Sequence, residues 1–160
     1  MFVYSVRAST LRFSLVIALM LAMLTALIAF GSEESVSVFR DGEAYRFTGV
    51  KDEEDRIAFL RQFGIEVMGE GESTESFTMP DATDRVLLGY NEIQKRQGLD
   101  LSKYRGKRVT RYTYEVKNGD YEGVTLVNLI VCRGRVIAAD VSGSEPGDFV
   151  IPLTEFRRSA

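Results

Sequence analysis

The sequence predicts an α+β domain carried behind an N-terminal transmembrane helix. Three observations lead there. An apolar run from Phe13 to Phe30 is broken only by Ser14 and Thr25. Further on, residues 52–64 and 80–98 repeat apolar side chains at helical spacing. The stretch from Val109 to Val141 then reads as three strands whose turns are short enough to demand antiparallel pairing.

The apolar run comes first. About 18 to 20 such residues rise about 27–30 Å as a helix, the thickness of a hydrocarbon core. Inside that core the backbone must satisfy its own polar groups, which a helix does. Arg7 and Arg12 precede the run, and Glu33 and Glu34 are the first charges after it. The positive-inside rule then keeps residues 1–12 cytoplasmic, makes 13–31 the transmembrane anchor and exports the rest. The rival reading is a signal peptide cleaved after Gly31, which would release a secreted protein. Its apolar core should be shorter, but Ala29 and Gly31 provide small residues at the required spacing. The only cysteine, Cys132, lies far from this segment, which excludes a lipoprotein anchor.

Composition narrows the classes. The chain of 160 residues has 20 Lys+Arg against 23 Asp+Glu, a net charge of -3, no histidine and one cysteine. An intramolecular disulfide is therefore excluded, and the commonest general base and metal ligand is missing. With two of the arginines before the anchor, the exported part is more acidic than the whole, which argues against a nucleic-acid partner.

Residues 32–51 form a membrane-proximal segment. Val36, Val38, Tyr45 and Phe47 alternate with polar residues around an Asp41-Gly42 turn, so a short hairpin or a stalk is expected. The domain proper is 52–160. Asp52 is placed to cap a first helix, with Glu53, Glu54 and Asp55 in its first turn. Ile57, Leu60 and Phe63, aided by Phe59, give the apolar stripe, and Gly64 stops it. Ile65 to Val67 reads as a short strand, Gly69 to Glu75 as an acidic loop, and Phe77 to Met79 as extended. Pro80-Asp81 opens a second helix with Val86, Leu87, Tyr90 and Ile93 on one face and Gly98 at its end.

After a connection at 99–107, Val109 to Val116 alternates, with Tyr112, Tyr114 and Val116 on one face. Val124 to Cys132 is apolar on both faces, as a central strand is. Arg133-Gly134 turns the chain into Val136 to Val141, and a last extended piece falls at Phe149 to Leu153. The expected architecture is two helices packed on one face of an antiparallel sheet that ends in a three-strand meander.

The run Tyr90-Asn91-Glu92-Ile93-Gln94, then Gly98-Leu99-Asp100-Leu101-Ser102-Lys103-Tyr104-Arg105-Gly106-Lys107, then Arg111-Tyr112-Thr113-Tyr114 carries a family resemblance. So do Arg56 to Leu60, Phe63 to Val67 and Gly134 to Ile137. Together they resemble the bacterial domain-of-unknown-function family 4830, found in small anchored or exported proteins of Gram-positive cells. The resemblance covers roughly residues 52–150 and implies no catalytic residues, since the family has no established activity.

The chemistry legible in the residues is sparse. Lys103, Tyr104, Arg105, Lys107, Arg108 and Arg111 form a candidate binding patch for an anionic envelope polymer or headgroup. The plainer reading is a set of solvated residues on a turn and a strand face. Leu99, Leu101 and Tyr104 read as plugs for the end of the core. Glu66, Glu70, Glu72 and Glu75 lack the ligand spacing of a calcium loop. Gly69-Glu70-Gly71 is not a phosphate loop. Cys132 sits in the central strand as an inert thiol. No catalytic set, cofactor fingerprint or metal cluster stands out.

The function expected is therefore a non-catalytic binding or interaction module of the cell envelope. Its partners would be the membrane, through the N-terminal helix, and an envelope polymer, a peptide or a membrane protein. An exposed edge of the meander offers strand addition. A small hydrolase using carboxylates is one alternative. A subunit of a larger membrane complex is another, since Ala18, Ala22 and Ala26 put small residues on one helix face.

Overall fold

The structure is a computed structural model that describes residues 16–23, 25, 37–40, 43–69, 71, 73–81, 85–145 and 147–159. The chain divides into two compact units, Met1–Glu34 and Ser35–Ala160. In the first unit, residues 16–23 and 25 are helical and exposed, and the Thr25 hydroxyl donates to the Ala22 carbonyl at 2.9 Å. The rest of the anchor expected at 13–31 lies outside the described residues. Among the described residues, no helix is long and apolar enough to cross a membrane.

The second unit opens with the hairpin expected around Asp41-Gly42. β1 (Ser37–Arg40) pairs antiparallel with β2 (Glu43–Arg46). The helix α1 (Glu53–Arg61) follows, and its start is built as its sequence implies. The Asp52 carboxylate accepts from the Asp55 N–H at 2.9 Å, and the Asp55 carboxylate accepts from the Lys51 N–H at 2.9 Å and the Asp52 N–H at 3.4 Å. This reciprocal cap holds the Asp55 carboxyl below its ordinary range, because backbone donors at Lys51 and Asp52 favour the charged form.

The main sheet has five strands in sequential order: β3 (Ser73–Thr78), β4 (Arg108–Glu115), β5 (Thr125–Cys132), β6 (Arg135–Gly143) and β7 (Val150–Ile151). All neighbours are antiparallel, so the meander is longer than the three strands expected. The acidic loop read at Gly69 to Glu75 ends early, because β3 begins at Ser73 and pairs along its whole length with β4. A cross-strand match explains this: Glu75 stands opposite Arg111, an opposite-charge pair that offsets the weak β-propensity of the segment. The strand read at Ile65 to Val67 reduces to one bridge, Val67 to Val116.

α2 (Arg85–Arg96) and α1 do not share a face of the sheet, contrary to expectation. Phe59 and Leu60 of α1 join the cluster that holds Phe47, Tyr114, Val127, Leu129 and Val141. Leu87 and Tyr90 of α2 pack instead on the cluster of Val109, Ile130, Cys132, Ile137 and Ala138. The reason lies in β5. Its side chains alternate between faces and are apolar on both, so each face needs its own cover. Val86, read as part of the α2 stripe, is 79% exposed.

The end of α2 also closes one edge of the sheet. The Gln94 side-chain oxygen accepts from the Ala139 N–H at 2.8 Å, and the Gln97 amide donates to the Ala139 carbonyl at 2.5 Å. Gln97 further accepts from the Leu153 N–H at 3.0 Å. On the same side of β6, the Val136 N–H donates to the Phe47 carbonyl at 2.8 Å, and Val141 and Ser142 pair with β7. The β6 side is thus finished by two glutamines, one loop carbonyl and a two-residue strand. The open edge for strand addition is β3, whose residues 73–76 are exposed and polar, not apolar.

Candidate functional site

α2 covers only part of its face of the sheet. Beside it lies a cleft of about 470 Å³. Phe77, Met79, Val86, Leu87, Ile130 and Val150 make its walls apolar. Arg111, Asn128, Asp140, Ser142 and Tyr90 supply its polar groups.

The polar groups are placed by strand register. Thr113, Asn128 and Asp140 stand directly opposite one another on β4, β5 and β6. They form one hydrogen-bonded row across the sheet. The Thr113 hydroxyl donates to Asn128 Oδ1 at 2.8 Å, and Asn128 Nδ2 donates to Asp140 Oδ2 at 2.9 Å. From α2, the Tyr90 hydroxyl donates to Asp140 Oδ1 at 2.5 Å. Asp140 is 4% exposed, and each of its oxygens has a donor. A buried carboxylate without such partners would be costly.

The electrostatics follow the burial. Burial pushes the Asp140 carboxyl up, while the Tyr90 and Asn128 hydrogen bonds and the Arg111 charge pull it back. Burial also pushes the Tyr90 phenol well above its ordinary range, reinforced by the Asp140 charge. Arg111 is the accessible ionic group, with a half-exposed side chain whose Nη2 lies 2.5 Å from Glu75 Oε2.

The cleft offers apolar contact and a few fixed hydrogen-bonding groups. Glycoside-type hydrolysis needs two carboxyl groups flanking the reacting bond. The lining of this cleft has one, Asp140, held by Tyr90 and Asn128. Among the described residues, no group of His, Cys, Asp and Glu could hold a metal. Cys132 is buried, and its thiol points to the Arg108 carbonyl at 3.7 Å.

The basic patch read from the sequence does not form one surface. Lys103, Arg105, Lys107 and Arg108 are exposed, and Tyr104 is half-buried. Lys107 Nζ lies 4.9 Å from the centre of the Tyr104 ring, a cation–π contact. Arg111 leaves this group for the cleft. On β4 it is an odd number of residues from Arg108, and alternation sends the two side chains to opposite faces. The plugging role read for this loop holds: Leu99 joins one core cluster, Leu101 the other, and Tyr104 packs on the second.

In the sequence Tyr90 stands on the apolar face of the second helix, and neither Asn128 nor Asp140 stands out by motif or spacing. A signal existed. Asn128 stands between Val127 and Leu129, and Asp140 between Ala139 and Val141, and a polar residue within an apolar run is the informative exception.

The family model described as a domain of unknown function (DUF4830) matches residues 59–141, from Phe59 in α1 to Val141 in β6. That span carries most of the cleft, including Tyr90, Arg111, Asn128 and Asp140. No curated protein and no solved structure matches the chain. With a match over more than half its length, the chain belongs to this family of domains of unknown function.

Proposed function

We propose that this protein is a membrane-anchored, extracytoplasmic binding module of the bacterial cell envelope, and that its ligand sits in the cleft between α2 and the sheet. The observation that carries the reading is the cleft itself. It combines apolar walls with one row of hydrogen-bonding groups, and it holds a single, already partnered carboxylate. Concave, mostly apolar sites with a few fixed polar groups are the usual form of a small-ligand site. The ligand that fits has an apolar body and a polar group that meets Arg111 or Ser142. Anchoring and export are supported by the apolar run 13–30, with arginines before it and glutamates after it.

The test places a photo-crosslinking residue at Val86, which is exposed at the mouth of the cleft, in the full-length chain in its own membranes. A crosslinker at Val124, exposed elsewhere, serves as control. An adduct from position 86 alone, abolished by Ser142→Trp, is expected. An adduct indifferent to that filling substitution, or none at all, would reject the cleft as the site. Sequencing the N-terminus of the membrane-extracted protein tests the anchor. Retention of residues 1–31 is expected, and a start at Ser32 would mean cleavage.

A further inference from the structure

The dipeptide Asn118-Gly119 follows β4 and lies outside the cleft. Asparagine before glycine is the most labile setting for a side-chain amide. Glycine carries no side chain to shield its own nitrogen, which can then attack the asparagine Cγ. Of the three asparagines in the chain, only Asn118 precedes glycine. Asn91 precedes Glu92, and Asn128 precedes Leu129.

The fold uses both members of this pair. Asn118 clasps the turn after α1. Its Nδ2 donates to the Gly64 carbonyl at 2.8 Å, and its Oδ1 accepts from the Glu66 N–H at 2.9 Å. Beside it, the Lys117 N–H donates to the Glu66 carbonyl at 2.8 Å. The C-terminal segment pairs onto the same residues. Gly119 and Arg158 form an antiparallel bridge. The Ser159 N–H donates to the Asn118 carbonyl at 2.9 Å, and the Asp120 N–H donates to the Arg157 carbonyl at 3.1 Å. Gly119 answers to a separate demand. A Cβ added there would come 3.2 Å from Cδ2 of Tyr121, closer than packed carbons sit. The Tyr121 ring is fixed in turn, stacked on Phe149 at 4.6 Å with its hydroxyl accepting from the Arg157 N–H at 2.9 Å.

The clasp also restrains the reaction. Attack on Cγ requires the Asn118 side chain and the Gly119 nitrogen to turn toward each other. Hydrogen bonds at both amide atoms fix the first, and the bridge to Arg158 fixes the second.

We infer that Asn118 is a site of spontaneous deamidation, that opening of this clasp sets its rate, and that its products cannot rebuild the clasp. The Gly119 nitrogen gives up its proton and bonds to Cγ. The Cγ–Nδ2 bond breaks, ammonia leaves with that proton, and a succinimide ring remains. Water then opens the ring at either carbonyl, giving aspartate or isoaspartate. Aspartate has no donor for the Gly64 carbonyl and sets oxygen against oxygen there. Isoaspartate adds a carbon to the main chain and breaks the register with Arg158. The inference stands independently of any ligand in the cleft.

The test incubates the purified full-length chain, in uncharged detergent at mildly alkaline pH, folded and in urea. Mass spectrometry of its peptides follows each asparagine. In urea, Asn118 should convert while Asn91 and Asn128 stay intact. In the folded chain, conversion should be slower by about tenfold or more, because only the open clasp reacts. Ser159→Pro removes a donor from the Asn118 carbonyl and should raise the folded rate toward the rate in urea. Asn118→Asp should speed hydrogen exchange at the Asp120 and Ser159 amides. If that variant does not fold, the deamidated fraction of aged wild-type chain, separated by ion exchange, takes its place. Equal rates folded and unfolded would overturn the inference, as would an intact Asn118 in urea. A folded rate indifferent to Ser159→Pro, or unchanged exchange in the aspartate form, would overturn it too.

Discussion

On the α1 face of the sheet, Phe47, Phe59 and Phe63 meet edge-on or tilted at ring distances of 5.3 to 6.1 Å, and the strand side chains beneath are apolar. On the α2 face, a hydrogen-bonded row crosses three strands and an open cleft stands beside the helix. Both faces tie a tyrosine to a charged group between helix and sheet. Arg56 Nε of α1 donates to the Tyr114 hydroxyl at 2.6 Å, while Tyr90 of α2 donates to Asp140. The charge on the α1 side belongs to the helix, whose guanidinium also covers the Tyr112 ring at 3.9 Å. The charge on the α2 side lies in the sheet, under the cleft. The difference shows how one sheet can be packed in two ways. One face sets aromatic rings over apolar strand side chains, and the other sets a row of polar groups beside a cleft.

The largest test of that contrast is Phe59→Ala on the filled face. Loss of about 3–5 kcal/mol in urea unfolding is expected, because the ring is 2% exposed and leaves a cavity. A loss under about 1 kcal/mol would mean this face is no better packed than the other. Next comes Gln97→Leu, at the edge that α2 closes. It strands the Ala139 carbonyl and the Leu153 N–H, and about 2–4 kcal/mol should go. Faster hydrogen exchange at Leu153 would confirm the cause.

Tyr90→Phe removes one donor from Asp140 and should cost about 1–2 kcal/mol at neutral pH. Because burial raises the folded Asp140 carboxyl above its unfolded value, its contribution is fully present at low pH and is lost as pH rises through the folded value. Tyr90→Phe deepens that loss, since the hydroxyl favours the charged form. Unfolding curves across acid to neutral pH would show it, and a pH-independent cost would contradict it.

Asp100 provides the opposite sign. The Ser102 side chain and backbone, with Asn91, hold it down from its ordinary 3.8 to about 2. Its contribution is present above 3.8 and disappears as pH falls through about 2. Asp100→Asn should therefore flatten the acid limb of the stability profile in that window, and an unchanged limb would refute the role. Smallest of all, Val86→Ser should move stability by less than about 0.5 kcal/mol, because the side chain is 79% exposed. A large stability loss would show that Val86 belongs to the core after all.

The elements with local signals are legible in the sequence. The Asp52 cap, the stops at Gly64 and Gly98, and the Arg133-Gly134 turn each rest on one residue type with one backbone preference. The helix at 85–96 and the strand at 108–115 rest mainly on periodicity, and the strand at 125–132 on an apolar run bounded by turns. β3 was less legible, because its polar residues are stabilised by a partner strand and not by their own propensity. The site was less legible still. Arg111 belongs by sequence with Arg105 and Lys107, but strand alternation assigns it to the cleft. Tyr90, Asn128 and Asp140 come from three elements and meet only through register.

What the sequence determined by itself is the apolar run at the N-terminus, the α+β class, the family and the absence of histidine chemistry. These depend on composition, spacing and single-residue preferences, all of which are local. Only the tertiary structure decided that the helices take opposite faces and that two glutamines close the sheet edge. Those outcomes depend on which strand edges and apolar faces remain uncovered once the sheet is assembled. That is a property of the packed whole, and no window of residues contains it.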